Sequence, residues 1–166
     1  MAETSRGWIG DAIAGGIAGA VATWVMDLTT TGMYDAQSAD VNRREEAAHP
    51  NGRSSVGNMV AQLESVLGLR LTDDERTRLT SVVHYGLGVA PGAMYGVVSR
   101  RVPALRFGGG LGYGLALFVV NDEWMNTALG LAGPFSAYPR EAHLRGLVGH
   151  AVLGTMTEAV ISSLGR

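Results

Sequence analysis

Long apolar stretches separated by polar segments dominate the pattern of this chain. Four stretches are each close to the length that an α-helix needs to cross a bilayer, about 20 residues. They run from residue 9 to 31, 79 to 99, 107 to 127 and 144 to 164. The pattern predicts one all-α domain of 166 residues, an integral membrane four-helix bundle. A soluble bundle with glycine-rich buried helices is the alternative that the pattern allows.

The polar segment from residue 35 to 78 contains a helix of its own. Its apolar residues recur at helical spacing, namely Val56, Met59, Val60, Leu63, Val66 and Leu67. Gly68 is a suitable C-cap for this helix, which we expect to lie on the membrane surface or over the bundle. Residues 72–75, Thr-Asp-Asp-Glu, match a capping box that starts the helix leading into the second span. Residues 37–53 are predicted to be loop.

Composition supports a membrane protein and excludes several other classes. Charged residues make up 17% of the chain, against roughly 25% in an average soluble domain. The 24 glycines lie mostly inside the apolar stretches, where small residues let membrane helices approach closely. A net charge of −2 gives no basic surface for nucleic acid. The absence of cysteine excludes disulfides and thiolate metal sites. The N-terminal residues lack the features of a removable signal peptide.

The arginines predict how the bundle is oriented in the membrane. Short cytoplasmic loops are enriched in Lys and Arg, and the loop between the second and third spans contains Arg100, Arg101 and Arg106. With four spans, both termini lie on the same side of the membrane as this loop. Both termini are therefore predicted to be cytoplasmic.

Ionisable side chains lie inside the apolar stretches at one common depth. They are Asp27, His84, Asp122, Glu123 and His150. At a helical rise of about 1.5 Å per residue, each lies about 6 to 10 Å below the outer interface. Because ionisable groups in lipid are costly, they mark a functional site by default. Glu158 lies two turns deeper than His150, and Tyr95 lies three turns from His84 near the same face.

A four-residue spacing of small residues places these groups on helix–helix contacts. It occurs at residues 15, 19, 23 and 27, again at 84, 88, 92 and 96, and again at 146, 150, 154 and 158. Faces with small residues at every fourth position are packing faces in membranes. We therefore expect the ionisable groups to point between helices, and the glycine faces could also form a homo-oligomer or a larger membrane complex.

The sequence leaves four interpretations of the ionisable groups open. His84, His150, Asp122 and Glu123 could bind a divalent metal, although the Glu-x-x-His and His-Glu-x-x-His patterns are absent. The two histidines could be axial ligands of a haem. The groups could relay protons or bind a small ion or polar solute. They could also only hold helices together, in an accessory or assembly subunit. No catalytic motif is present, no cofactor is required, and a non-enzyme is favoured.

Several short stretches resemble the YagU-like family of small bacterial inner-membrane proteins. They are residues 15–26 (GGIAGAVATWVM), 83–88 (VHYGLG), 95–96, 122–123, 128–131 (ALGL), 138–139, His143, and 149–150 with Glu158 following. The resemblance implies a bacterial inner-membrane protein with several helices. It also implies that His84, the Asp122–Glu123 pair, His143, His150 and Glu158 belong to the family pattern. It implies little about activity.

Overall fold

Helices make up nearly all of the part of the chain that the structure, a computed structural model, describes, residues 7–165. The α-helices are α1 (Trp8–Asp35), α2 (Ala39–Ala48), α3 (Ser55–Leu67), α4 (Asp73–Val98), α5 (Leu111–Leu117), α6 (Asn126–Ala128) and α7 (Arg140–Ser163). Short 3₁₀ turns lie at Pro50–Gly52, Pro103–Arg106 and Phe135–Ala137. No strand occurs between residues 7 and 165, so the prediction of an all-α fold is confirmed.

The third long rod of the bundle changes its helix type along its length. It begins as α5, continues without a break through a π-helical segment, Phe118–Met125, and ends as α6. In a π-helix each hydrogen bond spans five residues. This geometry is rare in proteins, and where it occurs it is frequently at a functional site. Asp122 and Glu123 lie in this segment. We call it the π segment.

Helix α1 is the centre of the bundle. It packs against α4 on one side and α7 on the other, while α5 packs against α7 and α3 against α4. The ring of Tyr95 on α4 stacks on that of Tyr113 on α5, with centroids 4.3 Å apart, and so joins the two outer rods. Ala18 and Ala22 of α1 are fully buried in the core. Such small side chains leave room for the neighbouring helices to lie close.

Two glycine-lined contacts bring the long helices together in pairs. In the α1–α4 seam, a Cβ added at Gly15 would overlap the carbonyl oxygen of Gly92, and one added at Gly19 would overlap that of Gly88. In the α5–α7 seam, a Cβ at Gly110 would overlap the carbonyl oxygen of Gly154. These positions therefore require glycine for the close approach, and the glycine faces are buried within the chain itself.

Both seams carry an ion pair at the end near the α4–α5 connection. In the α1–α4 seam, Nε of Arg100 lies 3.0 Å from Oδ1 of Asp11. In the α5–α7 seam, Nε of Arg106 lies 3.1 Å from Oε1 of Glu158. The two seams are thus built alike at this end of the bundle, which we call the distal end.

The predictions for the first polar segment are partly right. The amphipathic helix is α3, and Gly68 caps it with a φ of 64° in the left-handed region. The capping box of Thr72 and Glu75 starts α4. The prediction of loop for residues 37–53 is wrong, because α2 forms there with the Ser38 side chain accepting from the amide of Val41.

The third helix begins later than the pattern predicts. It starts at Leu111 rather than near residue 107, because Gly108, Gly109 and Gly110 have φ values of 62°, 65° and 93°. These left-handed conformations end any continuous helix and suit glycine because it lacks a Cβ. The three glycines therefore form a turn, from which Gly110 enters the α5–α7 seam.

One helix between residues 7 and 165, α1, is long and apolar enough to cross a membrane by itself. The core helix of a soluble protein and an N-terminal signal sequence meet the same criterion. Length and composition of the helices alone therefore do not distinguish a membrane bundle from a soluble one.

Candidate functional site

All four histidines of the chain line one cavity of about 500 Å³. They are His49, His84, His143 and His150. The cavity lies at the end of the bundle opposite the distal end, where α1 ends and α7 begins. Residues of α2 and α3 complete its wall. We call it the histidine cavity.

His84 closes the α1–α4 seam at the cavity end through a contact with Asp27. Its Nε2 atom lies 2.9 Å from Oδ1 and 3.1 Å from Oδ2 of Asp27. The carboxylate accepts from Nε2, so Nδ1 is the nitrogen that a second proton would occupy. The pair therefore carries one negative charge when the imidazole is neutral and none when it is protonated.

His150 occupies the equivalent position in the α5–α7 seam. Its Nδ1 atom lies 3.1 Å from the carbonyl oxygen of Gly146 and 3.4 Å from Oδ2 of Asp122. A carbonyl oxygen can only accept, so Nδ1 carries the proton and Nε2 is the site of protonation. Oδ1 of Asp122 accepts a hydrogen bond from Nδ2 of Asn121 at 2.8 Å. The two seams thus each end in an imidazole and a carboxylate at the cavity.

A third imidazole–carboxylate contact joins α7 to the π segment. Nδ1 of His143 lies 2.8 Å from Oε1 of Glu123, and its Nε2 lies 3.1 Å from the carbonyl oxygen of Phe135. The Phe135 ring stacks on the imidazole with centroids 3.8 Å apart. His143 is therefore held on three sides, in contrast to His49, whose ring lies 5.8 Å from that of Tyr138.

Arg145 holds α2 against α7 at the edge of the cavity. Its guanidinium forms a salt bridge with Oε1 of Glu45, donates to Oε1 of Gln37 at 3.0 Å and lies 5.2 Å from the ring centroid of Tyr34. Glu45 is buried, and its Oε2 atom has no hydrogen-bond partner among residues 7–165. The sequence analysis did not identify this contact.

Most of the predicted site residues lie together. Five of them line the histidine cavity, namely His84, Asp122, Glu123, His143 and His150. Asp27 is not among the lining residues and joins them through its contact with His84. The convergence of four helices at one end is thus a property of the folded chain.

Glu158 and Tyr95 belong to the distal end instead. The hydroxyl of Tyr95 donates to Oε2 of Glu158 at 2.6 Å, and Arg106 donates to Oε1 of the same carboxylate. Neither Tyr95 nor Glu158 lines the histidine cavity. Their contacts join α4, α7 and the α4–α5 connection, which indicates a role in holding the helices together.

His49 and Glu45 are two ionisable lining residues that no sequence pattern singled out. Both lie in residues 37–53, which were predicted to be loop, and His49 is half-buried in the cavity wall. Val41, Glu45 and His49 lie four residues apart, and the first two are buried. That spacing was the available signal for one inward-facing helix side.

The geometry gives no support to the metal-binding and haem interpretations. Between residues 7 and 165, no group of three or more His, Asp or Glu side chains is arranged to hold a metal ion. Asp27, Asp122 and Glu123 each face a single imidazole, and Glu45 pairs with Arg145 instead. Axial ligation of a haem through Nε2 of His84 would require its contact with Asp27 to break.

No known family model, curated protein or solved structure matches the chain.

Proposed function

We propose that the protein is an integral membrane four-helix bundle whose histidine cavity binds a small polar solute and couples this binding to protonation. The observation that carries the proposal is the convergence of all four histidines on one cavity, three of them within contact distance of a carboxylate. The cavity has the size of a typical small-molecule site, about 300 to 1,000 Å³.

The outer surface of the bundle supports a membrane location. Helix α1 exposes one continuous apolar face, formed by Ile9, Ile13, Ile17, Val21, Trp24 and Leu28. The other rods also expose large apolar side chains, such as Val82 and Met94 on α4, Val119 and Trp124 on the π segment, and Leu144 and Leu147 on α7. Soluble monomers rarely expose contiguous apolar patches of this kind. Lipid is the surrounding that such a surface fits.

The proposed orientation follows the arginines of the distal end. Arg100, Arg101 and Arg106 lie there, and positively charged connections favour the cytoplasmic side. Both termini would then be cytoplasmic and the histidine cavity would face the other side of the membrane. In a bacterium, as the resemblance to the YagU-like family implies, this is the inner membrane with the cavity on its periplasmic side.

The coupling to protonation rests on the imidazole–carboxylate contacts. Imidazole gains or loses its charge between pH 5 and 8. The His84–Asp27 and His150–Asp122 pairs each change from one negative charge to none on protonation. Charge in an apolar surrounding is costly, so the protonation state of these pairs and the charge of a bound solute must influence each other.

Flux across liposomes tests the proposal. Purified protein reconstituted with an internal pH-sensitive dye should show proton flux under a pH gradient. His84→Gln and His150→Asn should abolish this flux. Each replacement retains a donor at the position of the nitrogen that donates, Nε2 of His84 and Nδ1 of His150, but cannot titrate. Thr155→Ala on α7, whose hydroxyl bonds only to its own helix, should leave the flux unchanged.

The accessory-subunit interpretation gives the opposite result. If the imidazoles only join helices, the two titration-deficient variants should fold and behave like wild type, and wild type should show no flux. The membrane part is tested separately by carbonate extraction, in which the protein should stay in the membrane pellet and be released by detergent. Recovery as a soluble monomer without detergent would contradict it.

A further inference from the structure

The charged groups of the histidine cavity are not balanced when its imidazoles are neutral. Arg145 is the one guanidinium among the lining residues of the described chain, 7–165, and the salt bridge with Glu45 neutralises it. Glu123 shares a proton with His143. Nε2 of His143 carries one proton because it contacts the carbonyl oxygen of Phe135, so the contact between Nδ1 and Glu123 needs a second proton. Asp122 is then the lining carboxylate that lacks a compensating charge.

The surroundings of Asp122 leave it open to a ligand. Its carboxylate receives one hydrogen bond from Asn121, while His150 Nδ1 lies at 3.4 Å and points its proton at the nearer carbonyl of Gly146. The Asp122 side chain retains 32% of its exposure, against 9% for Glu45. When ionised, Asp122 therefore presents both an uncompensated charge and accessible surface.

An anion finds no equivalent partner in this cavity. The guanidinium of Arg145 already contacts Glu45, Gln37 and the face of Tyr34. Its recruitment by an anion would leave Glu45 buried without its cation, which is costly.

Aromatic rings in the cavity wall also favour a cationic ligand. Phe118, Phe135 and Tyr138 all line the cavity, and the Phe118 ring lies 5.8 Å from that of His150. Aromatic faces attract ammonium groups through the quadrupole of the ring, and quaternary ammonium ligands are recognised by cages of such rings. A carboxylate that shares a cavity with three aromatic residues fits an organic ammonium better than a hydrated inorganic ion.

We propose that the solute of the histidine cavity is a small organic cation, an ammonium held by Asp122 and the aromatic wall, and that it competes with protons. The inference rests on the proposed function and names the chemical class of its solute. Protonation of His150 from α7, or of His84 beside Asp27, supplies the positive charge that the ammonium otherwise provides. His49 faces the same space, so its protonation opposes the cation as well.

Calorimetric titration of the full chain in detergent tests the inference. Tetramethylammonium should bind at about pH 8 and bind about tenfold or more weakly at about pH 5, where imidazoles are protonated. Asp122→Asn should weaken binding about tenfold or more at about pH 8. Asp35→Asn, which removes an exposed carboxylate at the end of α1 outside the cavity, should bind like wild type.

The arms of the titration distinguish this inference from the proposed function. Binding of acetate, of glycerol or of potassium alone, in place of tetramethylammonium, would overturn the cation inference. Proton flux in liposomes would in that case leave the proposed function standing. Binding of tetramethylammonium that is independent of pH in wild type would also overturn it, and this readout does not depend on the folding of any variant. Absence of both binding and flux would overturn both.

Discussion

His143 and Glu123 hold a proton between them. Nδ1 of His143 lies 2.8 Å from Oε1 of Glu123, while Nε2 of the same ring lies 3.1 Å from the carbonyl oxygen of Phe135. Because that carbonyl only accepts, Nε2 carries a proton, and the contact with Glu123 needs a second one. The pair is therefore neutral as a whole, either as imidazolium and carboxylate or as imidazole and carboxylic acid.

This arrangement predicts the proton positions on His143. Nitrogen NMR of histidine-labelled protein should show Nε2 protonated in wild type and in Glu123→Gln. In the variant, Nδ1 should become a bare acceptor, because the glutamine amide can donate to it. Glu141→Gln, an acidic residue on the same helix outside the cavity, is the control and should leave the spectrum of His143 unchanged. A bare Nε2 in wild type would contradict the assignment.

The α1–α4 seam predicts a strong difference between two glycines of α4. Gly96→Ala places a Cβ on the backbone of Asp11 and Gly15, and such overpacking costs about 1–3 kcal/mol or more. Gly86 has open space around the added methyl group, so Gly86→Ala should leave stability unchanged or raise it by up to about 1 kcal/mol through helix propensity. Thermal unfolding in detergent measures both.

Equal stability of the two variants would show that α1 and α4 do not approach closely at Gly96. A loss of stability in Gly86→Ala alone would place the α4 contact on the opposite face of the helix.

The seams were predictable because one physical rule governs them. Close helix approach requires small residues at every fourth position, and this spacing is visible in the sequence. The same register reaches Asp11 and Arg100 in the α1–α4 seam, where they form an ion pair at the distal end. Extending the count by one step would have predicted that pair.

Other features depend on contacts that no local pattern encodes. Helix α2 is polar, buries only Val41 and Glu45, and is held by the distant contact between Glu45 and Arg145. The π segment packs against α7, and no residue spacing marks it in the sequence. His49 reaches the cavity only because α2 folds back on the bundle. Depth along the spans predicted which helix ends meet, but not which carboxylate faces which imidazole.

Asn58 predicts how firmly α3 is attached beside the cavity. This buried side chain donates through Nδ2 to the carbonyl oxygens of Leu131 at 3.0 Å, Pro50 at 3.0 Å and Arg53 at 3.2 Å. Asn58→Leu removes these bonds at a cost of about 1–3 kcal/mol for buried acceptors left without a partner. Hydrogen exchange across α3 should accelerate.

Gln62→Leu is the matched control for Asn58→Leu. Gln62 also lies on α3, and its exposed side-chain amide donates to the carbonyl oxygen of Leu129. It should change exchange across α3 far less. If both variants exchange like wild type, Asn58 does not hold α3.

The contact between Glu64 and Arg76 makes the α3–α4 attachment sensitive to acid. Two hydrogen bonds of 2.9 Å from Arg76 lower the pKa of the Glu64 carboxyl. A carboxyl whose pKa is lower in the folded than in the unfolded chain stabilises the folded state at pH values above the unfolded pKa, which is about 4.3 for Glu. This contribution is lost as the pH falls through the folded pKa.

Protection of α3 amides from hydrogen exchange should therefore fall below about pH 4.3 in wild type. Glu64→Gln should show reduced protection already at neutral pH and a weaker response to acid. Glu75→Gln, whose carboxylate caps the start of α4 through Thr72, should leave α3 protection at neutral pH near that of wild type. A Glu64→Gln variant that retains both the protection and its acid response would exclude this contact as the cause.

Substitution of Glu158 distinguishes a structural role of this residue from a role in the cavity. Glu158 lies two turns deeper than His150 on the same helix, and if it extended a proton path inward, loss of its carboxylate should slow proton flux. In the structure, Glu158 instead contacts Tyr95 and Arg106 at the distal end.

Glu158→Gln should lower stability by about 1–3 kcal/mol, because Arg106 loses its ionic partner and Tyr95 loses a charged acceptor. Tetramethylammonium binding in the cavity should stay at the wild-type level. Thermal unfolding and calorimetric titration of the same preparation measure the two effects, with Arg106→Gln expected to reproduce the first. Unchanged stability together with weakened binding would instead make Glu158 part of the cavity's function.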